Sequence, residues 1–306
     1  MTQTLIGVDV GGTKTAAAVS DGDHILARAD GAGAGLRPGR ALASAGIIAE
    51  VVRRVLAEAG KLNGDILVVG AAGAGRAPER DELQAALRAE ELAKTVVVTT
   101  DIDLALAAAF PDKPGIVVSA GTGSVAVGRD RHGERRRIGG YGWQMGDEGS
   151  GYAIGRAALG AVSRAYDGRS PATALTAQVL AATRSADFDA LIRWAANASP
   201  AEVAALAPHV LEVAVQGDPL AQGIADYAAR ELTQLVICLV PLIDVPLPVE
   251  VALTGGLLSA APILRERVFT RLKEQTDLTP IETPVDAVAG ALRLAANVDH
   301  THEGRP

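Results

Sequence analysis

Cysteine is nearly absent from this sequence, with Cys238 as the sole example among 306 residues. A lone thiol cannot close an intrachain disulfide, and it cannot supply the cysteine clusters that hold zinc or an iron–sulfur centre. Because Cys238 lies inside the apolar run "LVICLVPLI", we expect a buried core thiol in a reducing compartment.

Aromatic residues are also scarce, at 3% of the chain, while apolar residues in total reach 48%. The core must therefore be built from many small side chains. No basic excess is present either. The formal net charge is −7, which argues against a nucleic-acid-binding surface.

Long uninterrupted apolar runs are missing as well. The longest, residues 235–253, contains Asp244 and three prolines and is too broken for a membrane span. No basic segment followed by an apolar core opens the chain, so no signal peptide is predicted. These absences predict a soluble, cytoplasmic protein with neither a membrane nor a nucleic acid as partner.

The chain opens on a pattern that it later repeats. Apolar strands at 4–10 and 15–20 flank a Gly-Gly turn and predict a β-hairpin. Buried strands then alternate with helical patterns, which is typical of an α/β sheet. The opening layout returns in "GIVVSAGTGSVAVGRD" at 115–130, and we interpret it as a weak internal repeat that begins a second domain near Pro114. Residues 151–245 are Ala-rich with helical periodicity.

Glycine-rich turns follow several of the apolar strands. Successive N–H groups in such turns form a concavity that binds anions, and phosphate is the ligand expected there. Any one turn alone is explained as well by a tight hairpin. The four turns are Gly11–Gly12–Thr13–Lys14, Gly70 to Gly75, Gly121–Thr122–Gly123–Ser124 and Gly255–Gly256.

Carboxylates accompany these turns. Asp9 directly precedes the first turn, and Asp101 ends the predicted strand at 95–101, where ligand-binding groups of α/β sheets collect. A lysine, backbone N–H groups and an acid beside a phosphate predict a magnesium-nucleotide site, with the metal held by Asp9 largely through water. Asp103 is interpreted as a first-turn charge of a helix.

The segment "GGYGWQMGDEGSGYAIGRAAL" at 139–159 places Trp143 close to the adjacent acids Asp147 and Glu148. Carboxylates accept hydrogen bonds from sugar hydroxyls, and an aromatic ring covers the apolar face of a sugar. The acids are explained equally by a loop that caps the following helix, and both roles can hold at once.

Six segments resemble the N-acetylglucosamine kinase family in order and spacing: "DVGGTKT", "TTD", "SAGTGSVAVG", "GGYGWQMGDEGSGYAIG", "LTGGLL" and "PVDAVAGAL". These amino-sugar kinases belong to the actin/hexokinase/Hsp70 superfamily and are close to the BadF/BcrA-type ATPases that activate dehydratases. The resemblance spans nearly the whole chain, and "GDEGSG" beside "GGYGW" is its most specific part.

The resemblance implies an α/β fold with two ribonuclease-H-like, actin/hexokinase-type domains and an interdomain cleft. The first domain would comprise 1–114 plus 285–300, and the second, enlarged by helices, 115–284. A flexible tail would follow at 301–306. A homodimer is also implied.

ATP and Mg²⁺ are the implied cofactors, and an amino sugar is the implied substrate. Asp101 would be the catalytic base on the sugar 6-hydroxyl. The expected cofactor-binding residues are Asp9, Gly11, Gly12, Thr13, Lys14, Thr15, Gly121, Thr122, Gly123, Ser124, Gly255, Gly256, Gly290 and Ala291. The expected sugar-binding residues are Asp101, Gly73, Gly139, Gly140, Trp143, Asp147 and Glu148.

Two departures from the family pattern leave the acceptor open. Thr100 stands where the family often has Asn, and "GAAGAG" has no hydroxyl at its centre, so free glucosamine competes with N-acetylglucosamine. A kinase for another hexose or a wall-derived sugar is the nearest alternative. An ATP-driven conformational switch would need iron–sulfur cysteines, and a zinc-bearing sugar kinase would need a cysteine cluster. A sugar-responsive repressor would need a DNA-binding segment, whereas five residues precede Ile6.

Overall fold

A computed structural model describes residues 3–22 and 24–298. The first part of the chain alternates strands and helices after an opening run of three strands. Its elements are β1 Leu5–Val10, β2 Lys14–Ser20, β3 Ile25–Ala32, α1 Ala41–Glu58, β4 Gly64–Ala71, α2 Ala77–Ala89, β5 Ala93–Thr99 and α3 Asp101–Ala109.

The remainder contains a second run of strands, a long helical region and a last helix. Its elements are β6 Gly115–Ala120, β7 Ser124–Arg129, β8 Arg135–Gly139, α4 Gly151–Tyr166, α5 Leu175–Thr183, α6 Phe188–Asn197, α7 Pro200–Ala204, α8 Ala207–Val215, α9 Pro219–Leu239, a 3₁₀ turn Val240–Leu242, β9 Val249–Thr254, α10 Gly256–Ala260, α11 Pro262–Lys273, β10 Leu278–Pro280 and α12 Ala287–Ala296.

The first sheet has the order β3-β2-β1-β4-β5. Its central strand β1 pairs antiparallel with β2, as the predicted hairpin requires, and parallel with β4. Apolar side chains of α1 and α2 cover one face of the sheet, and those of α3 and α12 cover the other. Because both faces are covered, the inner strands β1 and β4 are mostly apolar, and Asp9 and Asp65 are the acids among them.

The second sheet has the order β10-β9-β6-β7-β8. Its central strand β6 pairs antiparallel with β7 and parallel with β9, which reproduces the order and directions around β1. The internal repeat predicted from the sequence is therefore confirmed at the level of sheet topology.

The prediction of a buried Cys238 is wrong, because the residue is exposed. It lies on α9, whose buried stripe includes Leu232, Val236 and Leu239. Cys238 falls on the opposite face, where the side-chain amide of Gln234, one turn earlier, donates to its sulfur at 3.0 Å. An apolar sequence run does not reveal which helix face packs.

The chain divides into two compact units. The first runs up to Asp112 and resumes at Val285, and the second comprises Lys113–Pro284. The predicted tail at 301–306 lies outside the described residues. Among the helices of the described ranges, none has both the length and the apolarity needed to cross a bilayer.

Candidate active site

Asp9 lies near the carboxyl end of the central strand β1. Side chains alternate along a strand, so Asp9 shares a face with Leu5, which packs in the α3–α12 core. Burial raises the pKa of Asp9 to about 6, and the negative charges of Asp101 and Asp286 add to the rise. Lys14 opposes it, but only in part, since its ammonium also pairs with Asp30 at 3.0 Å.

Asp101 is the first residue of α3 rather than the end of a strand, because β5 stops at Thr99. Thr100 caps the helix in a reciprocal capping box with Asp103. The position of Asp101 at a helix N-terminus favours a negative charge. Burial nevertheless raises the pKa of Asp101, partly opposed by the N–H of Ile102, which donates to its carboxylate at 3.0 Å.

Asp103 is occupied by neighbouring hydroxyls. Its Oδ2 accepts from Thr99 Oγ1 at 2.5 Å and from Thr100 Oγ1 at 2.7 Å. The Thr100 hydroxyl is thus engaged within the capping box. Asp103 is therefore a structural partner of the α3 N-terminus, in agreement with the prediction of a first-turn charge.

Asp286 is a member of the site that the sequence analysis missed. It caps α12 by accepting from the N–H of Ala289 at 3.1 Å, and Arg28 Nη2 donates to it at 2.6 Å. Burial would raise the pKa of Asp286, but these hydrogen bonds outweigh it and lower the pKa. The available signal was the Asp in "PVDAVAGAL", a residue type typical of helix N-caps.

Two of the four glycine-rich turns, Gly11–Lys14 and Gly121–Ser124, form tight turns between the strands of each hairpin. Gly11 N–H donates to the Lys14 carbonyl at 2.8 Å, and Gly121 N–H donates to the Gly123 carbonyl at 2.9 Å. Within the described residues, no acceptor is seen for the N–H groups at the two tips. Each tip therefore offers two adjacent N–H groups, as an anion-binding turn requires: those of Gly12 and Thr13, and those of Thr122 and Gly123.

Two hydroxyl residues of these turns are buried. Thr15 has no exposed surface, and its Oγ1 donates to the Ala32 carbonyl at 2.8 Å. Ser124 is 4% exposed, and its Oγ donates to the Glu148 carbonyl at 2.7 Å. Both positions point inward by strand alternation. Both hydroxyls are therefore engaged by backbone carbonyls, and the assignment of Thr15 and Ser124 to the cofactor stays a prediction.

A backbone segment supports the first turn. The N–H groups of Ala34 and Gly35 donate to the Gly11 carbonyl at 3.2 and 3.1 Å. A Cβ on Gly33 would lie 2.5 Å from the Thr13 nitrogen and closer still to the Gly12 carbonyl oxygen. Only glycine permits this approach. Gly73, a predicted sugar-binding residue, is exposed in the adjoining loop.

In the second unit, the loop before α4 holds its two acids differently. Asp147 is 7% exposed. Burial raises its pKa, although the N–H groups of Ser124 and Gly142 donate to its carboxylate. Glu148 is exposed. The capping role belongs to Ser150, whose Oγ accepts from the N–H of Ala153 at 3.2 Å.

The other predicted residues of this loop are also placed by the structure. Gly139 ends β8 and is buried, whereas Gly140 is exposed. Trp143 is 45% exposed, and its ring centroid lies 5.2 Å from that of Tyr152. The loop thus presents an aromatic face and Glu148 to solvent, with Asp147 beneath them.

The predicted adenosine contacts separate into two pairs. Gly255 and Gly256 lie where β9 meets α10 in the second unit. Gly290 and Ala291 are buried on α12 in the first unit. A Cβ on Gly290 would overlap the Leu104 carbonyl and lie 3.0 Å from the Ala108 nitrogen. Both residues pack α12 against α3 and the sheet, and their assignment to adenosine stays a prediction.

The first unit suits a metal that a nucleotide brings with it. The pKa of Asp9 is raised to about 6 by burial and two neighbouring acids, so a divalent cation would be favoured beside it. In the described ranges, no group of three or more candidate protein ligands is present. A Mg²⁺ bound through water and phosphate oxygens fits these residues, because this ion retains most of its water shell.

The two five-stranded sheets have the same topology, and the hairpin of each ends in a turn that offers backbone N–H groups. This arrangement is typical of the actin- and hexokinase-like class of α/β proteins. The fold is similar to a ROK hexokinase from Thermus thermophilus, with a TM-score of 0.55 and 21% identity over 95% of this chain and 97% of the other. The chain matches the BadF/BadG/BcrA/BcrD ATPase family over residues 6–295 and belongs to that family.

Relatives with assigned names are sugar kinases. The chain is 31% identical over 264 residues, 82% of this chain and 84% of the relative, to the N-acetylmuramic acid/N-acetylglucosamine kinase of Clostridium acetobutylicum. It is 25% identical, over 96% of both chains, to the glucosamine kinase GspK of Vibrio cholerae. A candidate N-acetylglucosamine kinase from Chromobacterium violaceum superposes with a TM-score of 0.81 and 29% identity, covering 96% of this chain and 99% of the other.

Proposed function

We propose that this protein transfers the γ-phosphoryl group of ATP to the 6-hydroxyl of glucosamine or N-acetylglucosamine. The observation that carries the proposal is Asp101. Its carboxylate lies at the first turn of α3 with a raised pKa, whereas Asp103, two residues later, already accepts two hydroxyl hydrogen bonds. The named relatives act on amino sugars, which supports this class of acceptor.

Asp101 is the base because its carboxylate retains capacity to accept a proton. Its Oδ1 accepts the N–H of Ile102 at 3.0 Å, whereas Asp103 Oδ2 already accepts two hydroxyls. A raised pKa brings a carboxylate closer to the range in which it removes a proton efficiently. Asp101 would orient the sugar hydroxyl and take its proton as the bond to phosphorus forms.

Phosphoryl transfer has a loose transition state, so positioning and charge neutralisation supply most of the catalysis. The tip N–H groups of Gly12 and Thr13, and of Thr122 and Gly123, would donate to phosphate oxygens. Asp9 would hold Mg²⁺ through water, and the ion would neutralise charge on the phosphates when bound. The proposal requires residues of both units, so a substitution in either one should abolish transfer.

The acceptor sugar is assigned to the loop that carries Asp147 and Glu148. Carboxylates accept hydrogen bonds from sugar hydroxyls, and the half-exposed Trp143 ring suits the apolar face of a pyranose. The loop at "GAAGAG" carries no hydroxyl for an acetamido group, so both amino sugars are retained as acceptors. A homodimer acting in the cytoplasm completes the proposal, and sedimentation velocity would test the dimer.

A coupled assay of ADP formation tests this function directly. Glucosamine, N-acetylglucosamine, N-acetylmuramic acid and glucose are compared at fixed MgATP. We expect one of the first two to give the highest kcat/KM. ATP hydrolysis that no sugar stimulates would contradict a sugar kinase and would favour the conformational-switch class.

A further inference from the structure

A groove of about 480 Å³ lies on the second unit beside the loop that precedes α4. Its volume is within the range of small-molecule sites. One wall is α4, and Ile224 and Tyr227 of α9 form another part of the lining. Along α4 the floor consists of the small residues Ala153, Ala157 and Gly160, so a ligand can approach the helix closely.

Three aromatic rings line this groove: Trp143, Tyr152 and Tyr227. Trp143 is 45% exposed and Tyr227 is 49% exposed. The rings of Trp143 and Tyr152 meet at 51°, so they form a corner rather than a flat stack. In a chain with 3% aromatics, this concentration of half-exposed rings is a surface suited to a sugar ring.

Two arginines of α4, Arg156 and Arg164, also line the groove. They are eight positions apart, which places them on one side of the helix about 12 Å apart along its axis. In the part of the chain that the structure describes, no hydrogen bond or ion pair engages either guanidinium. Glu148 is the one carboxylate in the lining, so the groove is locally positive in a chain of net charge −7.

We propose that this groove binds an acidic saccharide. Its sugar ring would pack on Trp143 and Tyr152, because the Tyr227 ring is already covered by the Arg230 guanidinium at 4.8 Å from its centroid. Its carboxylate or phosphate would accept hydrogen bonds from Arg156 and Arg164. The inference rests on the proposed function in one respect. Glu148 belongs to the loop assigned to the amino sugar, so the groove would extend that site. Two sources fit: an acceptor sugar with a carboxylate-bearing substituent, or the sugar phosphate that transfer produces.

Isothermal titration of the full chain with three probes tests the groove. N-acetylmuramic acid carries a carboxylate, glucosamine 6-phosphate carries a phosphate, and N-acetylglucosamine is the neutral reference. The double variant Arg156→Gln/Arg164→Gln should bind at least one acidic probe tenfold more weakly or worse, with less than a twofold change for the neutral sugar. The acidic probe that is affected identifies the source. Trp143→Ala should weaken the same probe.

Arg88→Gln/Arg193→Gln removes the same charge from exposed helix positions outside the groove and should bind all probes as wild type does. The inference is overturned if neither acidic probe binds wild type, or if the groove variant matches this control. Sugar-dependent ADP formation measured on the same preparations separates the two ideas. Sugar-dependent turnover without binding of an acidic probe would contradict only the groove proposal. Binding of an acidic probe without turnover would contradict only the proposed kinase activity.

Discussion

At the scale of single residues, the carboxylates of Asp9 and Asp101 lie where burial disfavours their charged form. Burial raises the pKa of both, and each lies close enough to other acids for their charges to add to the rise. Such perturbed groups concentrate where chemistry is done. The compensating interactions, from Lys14 and from the N–H of Ile102, are partial.

Replacing Asp101 by Asn should lower kcat by roughly 10²–10⁴-fold, because the variant cannot accept the proton of the sugar hydroxyl. The Kd for ATP should change less than threefold, as Asn keeps the size and the hydrogen bond from Ile102. Initial-rate kinetics and ATP titration measure the two effects. Asp112→Asn, an exposed acid of the same unit, is the control. Turnover of Asp101→Asn within tenfold of wild type would remove the base assignment.

Asp9→Asn should stabilise the ligand-free protein at pH 7.5 while abolishing transfer. The pKa of Asp9 is about 6 in the fold against 3.8 as a free group, so the folded state binds the proton more tightly. Wild-type stability therefore falls as pH rises from 3.8 through 6, by about 2–3 kcal/mol for a shift of this size. Asn avoids that loss.

Urea unfolding at several pH values checks the Asp9 prediction. The advantage of Asp9→Asn should be largest above pH 6 and shrink as the pH falls toward 3.8. A variant less stable than wild type at pH 7.5 would show that the Asp9 carboxylate is well compensated and would contradict the account of its environment.

At the scale of elements, the segment after β3 fixes the first phosphate turn through backbone contacts. A side chain at position 33 would collide with the backbone of Gly12 and Thr13, so only glycine fits there. The segment therefore holds the tip N–H groups of Gly12 and Thr13 in place, and a preorganised site needs this kind of support.

Gly33→Ala should raise the KM for ATP at least tenfold, because the new Cβ displaces the tip N–H groups. The KM for the sugar should change much less. Gly46→Ala is the matched control, since Gly46 lies in the middle of α1 with open space around its Cα, and it should be neutral or slightly stabilising. Equal ATP kinetics in Gly33→Ala and Gly46→Ala would show that the segment does not position the turn.

Gly290→Ala tests whether Gly290 serves helix packing or contacts the nucleotide. The added methyl overlaps the Leu104 carbonyl of α3 and should lower the free energy of unfolding by about 1–3 kcal/mol, as overpacking does. The KM for ATP of the folded protein should stay near wild type. A stable variant with a strongly raised KM for ATP would support the assignment of Gly290 to the nucleotide site.

At the scale of the whole molecule, local patterns predicted the two hairpins and their repetition. Strand alternation and a Gly turn are encoded within about 15 residues, so β1–β2 and β6–β7 could be predicted. The orientation of helix faces depends on tertiary packing. For that reason Cys238 was predicted to be buried although it is exposed, and the proximity of Asp286 to Asp9 was missed.

The candidate residues are distributed over both units: Asp9 and Asp101 lie in the first, and Asp147 and the Gly121–Ser124 turn in the second. Their joint use in one reaction is the central claim.

The most direct test is correlated ¹H–³¹P NMR of the product formed from ATP with glucosamine or N-acetylglucosamine. The account predicts a phosphorus signal coupled to the two C6 methylene protons, formed only in the presence of sugar and roughly a hundredfold or more slower to appear with Asp101→Asn. A phosphorus coupled to the C1 proton, or release of inorganic phosphate at a rate that sugar does not change, would contradict it.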